Sequence, residues 1–290
     1  MSKNSKKWLI GTGIVAAGAA AVGAGIRAIS HYFVKIAMDR KCPGKVQKNI
    51  SMVSGGSVNK ELLEQTEQAT RQLESAVQTR VEVESHDGLR LIGHWYPAEQ
   101  PKRILIAMHG WRSSWSRDFG TVADFWFQNH CNVLFAEQRG QNNSGGDYMG
   151  FGMLERYDCL DWVQWVDARF NGKLPIYLGG LSMGATTVLM AAGLGIPQTV
   201  HGIVADCGFT SPREIIKSVY RRVLRLPPML SVWMAGVFAR IFAGVDINSC
   251  DTRVSLADSR LPVLLIHGEE DTFVPCQMTR EAFAACNGSK

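Results

Sequence analysis

The stretch Pro175-Ile-Tyr-Leu-Gly-Gly-Leu-Ser-Met-Gly-Ala-Thr-Thr-Val-Leu-Met-Ala-Ala-Gly193 decides the fold. Ile176–Leu178 is a short apolar run with the character of a buried strand. The small apolar residues Ala185–Ala192 read as a buried helix. Between them lies Gly180-Leu181-Ser182-Met183-Gly184. A serine on a sharp strand-to-helix turn is held in strained backbone geometry, and the turn closes only if its neighbours lack side chains. Gly180 and Gly184 meet that demand. The same turn sets Ser182 at a helix N-terminus, where the N–H of Met183 is free to face a developing oxyanion. A glycine-rich strand end without chemistry is the plain alternative; the strand before and the helix after favour the catalytic reading.

With 290 residues the chain has room for one large α/β domain plus accessories. A hydrophobic content of 46% with 20% charged residues is enough for a substantial core. The net charge of +5 is modest, and its excess sits near the N-terminus and around Arg213–Arg225. That is too sparse for a nucleic-acid-binding face, so no nucleic-acid partner is expected. The seven cysteines show no Cys-x-x-Cys and no metal spacing. Cys131 and Cys207, in or beside apolar runs, read as small buried hydrophobes, which favours a reducing compartment. Neither His-Glu-x-x-His nor Gly-x-x-x-x-Gly-Lys-[Ser/Thr] occurs, so no metal and no cofactor is expected.

Upstream of the serine, Trp8–Ile26 is uncharged, mostly apolar and long enough to cross a bilayer, with Lys3, Lys6 and Lys7 before it. It reads first as a retained single-pass membrane anchor with the catalytic domain on the cytoplasmic side. A cleaved signal peptide and a buried or surface helix are the alternatives. Residues 40–58 read as a tether, and Asn59 caps a packing helix to about Gln78. Val81–Glu84 and Leu89–Tyr96 form a β-hairpin. Arg103–Met108 is a buried strand ending in His109-Gly110-Trp111, where Gly110 lets the backbone turn inward and makes the N–H of Trp111 a second candidate oxyanion donor. His109 reads as structural. A helix over Asp118–Asn129 and a strand over Asn132–Ala136 lead into the turn-rich loop Glu137–Gly146. There the Glu137/Arg139 pair is a loop staple, with a surface ion pair as the alternative. Leu154–Phe170 is amphipathic and leads back to the serine turn.

Downstream, His201–Ala205 is a strand ending in Asp206-Cys207-Gly208-Phe209. Glu214–Arg225 and Leu230–Ala243 are helices broken by Pro227-Pro228, the second apolar nearly all round. They suggest a small lid whose apolar face lines an acyl pocket; a helix buried under the sheet and a membrane-facing helix remain open. Pro262–Ile266 is the seventh strand, followed by His267-Gly268-Glu269-Glu270-Asp271. A carboxylate here is placed to orient a catalytic histidine. Asp271 is the first choice, with Glu269, Glu270 and Asp206 behind it. The alternation of strands and helices predicts a doubly wound, mostly parallel sheet.

These residues jointly resemble the α/β-hydrolase superfamily over residues 79–290. The nearest likeness is to bacterial, often N-terminally anchored hydrolases of serine-aminopeptidase-like or esterase/lipase-like type. The matching positions are His109-Gly110-Trp111, Arg139-Gly140, Gly180-Leu181-Ser182-Met183-Gly184, Ala205-Asp206-Cys207-Gly208-Phe209-Thr210-Ser211 and His267-Gly268-Glu269-Glu270-Asp271. The resemblance implies an α/β-hydrolase fold that cleaves carboxylic esters or other acyl compounds through an acyl-serine. Ser182 would be the nucleophile, Met183 and Trp111 the oxyanion donors and Asp271 the acid, with a small-molecule acyl or peptide substrate. A serine aminopeptidase-like peptidase and a non-catalytic binding protein on the same fold are the alternatives. The implied organisation is an anchor or signal-like segment over 1–30, a tether and spacer helix over 31–78, and a hydrolase domain over 79–290 with a helical lid at 211–245. The family's catalytic histidine follows the acid, and this sequence has no histidine after His267. The expectation is therefore a chain lacking the last strand and helix of the fold, about 30 residues short, and inactive in this form for want of a general base.

Overall fold

A computed structural model describes residues 3–41, 60–222, 225 and 227–290, the side chains of 3–20 excepted. Seven strands, β1 (Thr79–Glu84), β2 (Arg90–Tyr96), β3 (Arg103–Met108), β4 (Cys131–Ala136), β5 (Ile176–Leu181), β6 (Val200–Asp206) and β7 (Val263–Ile266), form one sheet in the order β1-β2-β4-β3-β5-β6-β7. The β1–β2 and β2–β4 pairs are antiparallel, and all the others are parallel. β4 is buried at every position because helices cover both faces. Its side chains alternate: Leu134 and Ala136 join Ile104, Ile106 and Trp162 on one face, while Val133 and Phe135 join Leu105 and Phe119 on the other.

The helices are α1 (Lys3–Met38), α2 (Lys60–Ser75), α3 (Trp115–Gln128), α4 (Glu155–Phe170), α5 (Met183–Ala191), α6 (Pro212–Arg222), α7 (Pro228–Ala243), α8 (Thr252–Ala257) and α9 (Cys276–Ala285). Most stand within two or three residues of their predicted bounds, as do the strands. Helix α8 was not foreseen; it is a single turn and a half whose signal is Asp251, which accepts the Arg253 N–H as an N-cap. Most of the predicted tether, with its Asn59 cap, lies outside the described residues.

The expected single-pass membrane anchor is corrected: among the described residues no helix is long and apolar enough to cross a membrane. Most of Trp8–Ile26 lies where side chains are not described. Downstream of it, helix α1 turns a stripe inward, with Ile26, Ser30, Val34, Ala37 and Met38 buried. That spacing is one face of a helix. It packs on α7, where His31 stands edge-on to Phe238 and Phe242, each at 5.1 Å. Phe33 meets Tyr220 of α6 at 5.0 Å. Apolar residues in α1 thus serve at least in part to dock a helix on the domain. Helix α7 buries Val232, Ala235, Phe238 and Ala239 in this contact and leaves Trp233 and Ile241 about two-thirds exposed.

Candidate active site

Strand β5 runs through the glycines to Leu181, and α5 starts at Met183. Ser182 between them has φ 54 and ψ −113, a region that costs a residue with a Cβ about 1–3 kcal/mol and persists only when its surroundings enforce it. The enforcement is steric. A Cβ on Gly180 would come within 2.3 Å of the Gly184 carbonyl oxygen, and one on Gly184 within 1.8 Å of the Met108 carbonyl oxygen. Ser182 also donates its N–H to the Asp206 carbonyl at 2.8 Å, which fastens the turn to β6.

The loop after β3 touches this turn, since a Cβ on Gly110 would lie 3.5 Å from Ser182 Cβ. Its backbone donors are selectively used. Gly110 N–H goes to Asp118 Oδ2 at 2.7 Å and Arg112 N–H to Gln141 Oε1 at 2.6 Å. Among the described residues, neither the N–H of Trp111 nor that of Met183 has a protein acceptor. These are the two amide protons that the sequence singles out as oxyanion donors, one after the β3 exit and one at the start of α5.

His109 is fully buried and structural. Its Nδ1 donates to the Gly110 carbonyl at 2.8 Å, and its Nε2 accepts the Gln138 N–H at 3.1 Å. Both roles require the neutral ring, and burial holds its pKa below the usual histidine value. Gln138 in turn bonds the His109 carbonyl through Nε2 and lies 2.9 Å from Thr187 Oγ1 of α5. Asp118, Gln138 and Gln141 were not singled out from the sequence; each supports the loop rather than facing solvent.

On the other side, β6 and β7 end together, with Asp206 opposite Ile266. Asp271 follows β7, and its Oδ1 accepts the N–H groups of Phe273 (2.8 Å) and Val274 (2.9 Å). Its Oδ2 lies 3.5 Å from His267 Nε2. His267 is already engaged at both nitrogens, with Thr279 Oγ1 at 2.6 Å and the Val274 carbonyl at 2.9 Å. His201 is exposed at the opposite end of β6 from Asp206. Burial raises the Asp206 carboxyl, against the pull of His267. Cys207 sits between these parts at φ 48. Burial pushes its thiol up to about 12, and Asp206, Asp271 and Asp118 add to the effect while the Ser182 backbone opposes it. Glu269 and Glu270 point to solvent.

An apolar wall completes the site. Trp111 stacks on Phe273 at 6.5 Å and approaches Phe151 at 6.4 Å, and Phe151 meets Phe209 at 6.2 Å. Met183, Ile215, Val274 and Met278 pack with them.

The Glu137/Arg139 staple is corrected in its pairing, because each residue is buried with other partners. Glu137 bonds His94 Nε2 at 2.8 Å and the Asn143 N–H, while Arg139 bonds Asp158 and, at 2.7 Å, Asp87. His86, Asp158 and Asp161 bring ligand atoms within 4.8 Å of one another. The Arg139 guanidinium already occupies Asp158, which removes the charge a cation would need. A cleft of about 630 Å³ lined by Tyr96, Glu99, Phe127 and His130 lies at the other rim, where the parallel strands begin. Sheets of this kind bind ligands beyond the carboxyl ends of their strands, which is where Ser182 stands.

A model of the family described as "Serine aminopeptidase, S33" (Hydrolase_4) matches residues 99–253. The chain is 28% identical over 159 residues to the uncharacterized protein YqkD of Bacillus subtilis, covering 55% of this chain and 52% of that protein. It is 29% identical over 165 residues to the lysophosphatidylserine lipase ABHD12 of Danio rerio, covering 55% and 40%. The chain thus spans about half the length of these curated relatives. Among solved structures, the Pyrococcus furiosus esterase Pf2001 superposes with a TM-score of 0.59 at 23% identity, over 74% of this chain and 78% of that one.

Proposed function

The chain belongs to the serine aminopeptidase (S33) family of α/β-hydrolases, and from that premise we propose that Ser182 is the nucleophile of a hydrolase of carboxylic esters or other acyl compounds. One observation carries the reading: the N–H groups of Trp111 and Met183, on the two segments that meet at Ser182, have no protein acceptor among the described residues, whereas those of Gly110 and Arg112 do. Ser182 Oγ attacks the acyl carbon, its proton leaves to a general base, and the carbonyl oxygen takes the negative charge between those two donors. Collapse expels the alcohol and leaves an acyl-serine, which water then hydrolyses. Asp271 is the orienting acid. Its fixed Oδ1 leaves Oδ2 as the atom that would hold an imidazole. The sequence has no histidine after His267, and His267 has its nitrogens engaged elsewhere, so we assign the base to none of these residues.

An acyl substrate is favoured over a free peptide N-terminus. The aromatic wall of Trp111, Phe151 and Phe273 suits an apolar acyl group. An aminopeptidase needs an uncommitted carboxylate for the substrate ammonium, and Asp118 already spends both oxygens on Gly110 N–H and Ser113 Oγ. The test is labelling of the full-length protein by a fluorophosphonate, with p-nitrophenyl acyl esters compared against aminoacyl anilides. Wild type should label and Ser182→Ala should not, and the esters should turn over faster. Equal signals from wild type and Ser182→Ala would refute the nucleophile, and faster anilide cleavage would refute the substrate class.

A further inference from the structure

Four carbonyls at the end of α1 have lost their helical partners, as at any helix C-terminus. Here the domain takes all four. Ile36 O accepts from the Arg112 guanidinium, Ala37 O from Trp111 Nε1 at 2.7 Å, Met38 O from the Met149 N–H at 2.8 Å and Asp39 O from Arg112 Nη2 at 2.5 Å. Arg40 extends the seam, donating its N–H to Asp147 O at 2.8 Å and its guanidinium to the carbonyls of Asn142, Ser144 and Gly146.

The residues that do this capping are not arbitrary. Trp111 and Arg112 belong to the loop whose Gly110 packs against Ser182, and Trp111 carries the N–H proposed above as an oxyanion donor. Arg112 has φ 52, a left-handed conformation that a residue with a Cβ adopts only under constraint. Its N–H is held from one side by Gln141 Oε1 and its side chain from the other by α1. The guanidinium also lies 5.3 Å from the Trp111 ring centroid. Its charge has a further use. The C-terminus of a long helix carries about half a negative charge, which would oppose an oxyanion forming nearby, and Arg112 stands on that terminus.

We propose that the end of α1 is the abutment of the oxyanion loop, with Arg112 as the positioning residue that aims the Trp111 N–H and screens the helix end. The proposal rests on the reading of Trp111 as an oxyanion donor. It makes the N-terminal helix part of the catalytic apparatus, although none of its residues is placed at the reacting atoms. Arg112 acts through the Trp111 backbone, so its loss should weaken transition-state stabilisation and leave ground-state binding nearly intact.

The experiment uses the full-length protein and two independent readouts. Arg112→Ala should lower kcat on a p-nitrophenyl ester by about 10- to 100-fold with KM within about threefold, short of the ~10²–10³-fold that deleting an oxyanion donor costs. Arg112→Lys should recover part of the loss. Trp111→Phe, which removes the indole N–H and shortens the ring while leaving the backbone N–H, should cost a few-fold. Amide exchange at residues 36–40 and 110–113 should quicken together in Arg112→Ala while the core strands stay protected. Unchanged kcat, or a loss that appears in KM alone, overturns the positioning role while leaving Ser182 as the nucleophile. Faster exchange in one segment without the other overturns the abutment. If wild type fails to turn over ester and labels no better than Ser182→Ala, the hydrolase reading falls and takes the catalytic role of Arg112 with it.

Discussion

Replacing Gly184 by alanine tests whether close packing of backbone against backbone creates the serine turn. The added methyl would sit 1.8 Å from the Met108 carbonyl oxygen, 2.5 Å from its carbon and 2.7 Å from the His109 carbonyl oxygen, against 3.4–4 Å for ordinary contact. None of these atoms belongs to a side chain that could swing away. Relief therefore requires α5 to move off the end of β3, and α5 is buried along its whole length. Overpacking a core by one methyl costs about 1–3 kcal/mol when side chains can adjust. With only backbone to move, about 3 kcal/mol or more is expected. The same shift carries Met183 N–H away from the loop bearing Trp111, and a 1 Å misplacement of that kind costs roughly 10²-fold in rate. Urea unfolding followed by circular dichroism measures the first effect, and fluorophosphonate labelling of the folded fraction measures the second. Gly268→Ala is the control, since a methyl there meets nothing within 4 Å. A Gly184→Ala protein with the wild-type urea midpoint and labelling rate would refute the reasoning.

Arg139→Met should destabilise the domain by about 3–5 kcal/mol in urea because it strands the buried Asp158 carboxylate, and adding Asp158→Leu should recover most of the loss; a single variant as stable as wild type would refute the pairing. Asp271→Asn should lower ester kcat in the full-length protein by about 10³–10⁴-fold while Glu270→Gln, exposed to solvent, changes little; the reverse order would move the acid. His109 supplies a pH dependence. Burial depresses its folded pKa, so the unfolded chain takes up the proton first as pH falls. Its contribution is therefore fully present above the ordinary value of about 6.5 and declines below it. The urea midpoint should fall between pH 7.5 and 5.5 more steeply in wild type than in His109→Gln, and equal slopes would refute the assignment of a neutral ring.

How much of this was legible in the sequence depends on whether the cause was local. The glycines flanking Ser182 announce the turn because only a missing Cβ fits there, and alternation along β3 and β4 announces both faces of the sheet. The partners of Arg139 were not legible. Glu137, two residues away, is the obvious candidate, yet Arg139 lies in the turn that the Gln141 N–H closes on the Gln138 carbonyl, and the two side chains take separate partners. The true partners, Asp87 and Asp158, come from the hairpin turn and α4, which only tertiary folding brings together. Helix α1 misled for another reason. Hydrophobic content over Trp8–Ile26 counts residues without saying which face they occupy, and the docking stripe lies mostly downstream among Arg27 and Lys35. The capping of its last carbonyls by Trp111 and Arg112 leaves no mark on sequence pattern, because tryptophan and arginine after a strand suit many roles.

The two donors proposed for the oxyanion, the N–H groups of Trp111 and Met183, come from elements far apart in the chain, so something must fix the distance between them. Gln138 does so. Its Nε2 holds the carbonyl of His109, immediately before the Trp111 loop, and its Oε1 faces Thr187 Oγ1, which also lies 2.9 Å from the carbonyl of Met183. One amide thus spans from the β3 exit to the first turn of α5, with both ends buried and a backbone N–H of its own fixed on His109 Nε2. A shorter or apolar side chain would leave the His109 carbonyl without that donor and free the two loops to separate. Gln138→Leu should therefore reduce kcat in the full-length enzyme about 10-fold or more with little change in KM, as expected when donors are present but no longer held at their spacing. Wild-type kcat in a folded Gln138→Leu protein would show that packing alone sets the distance.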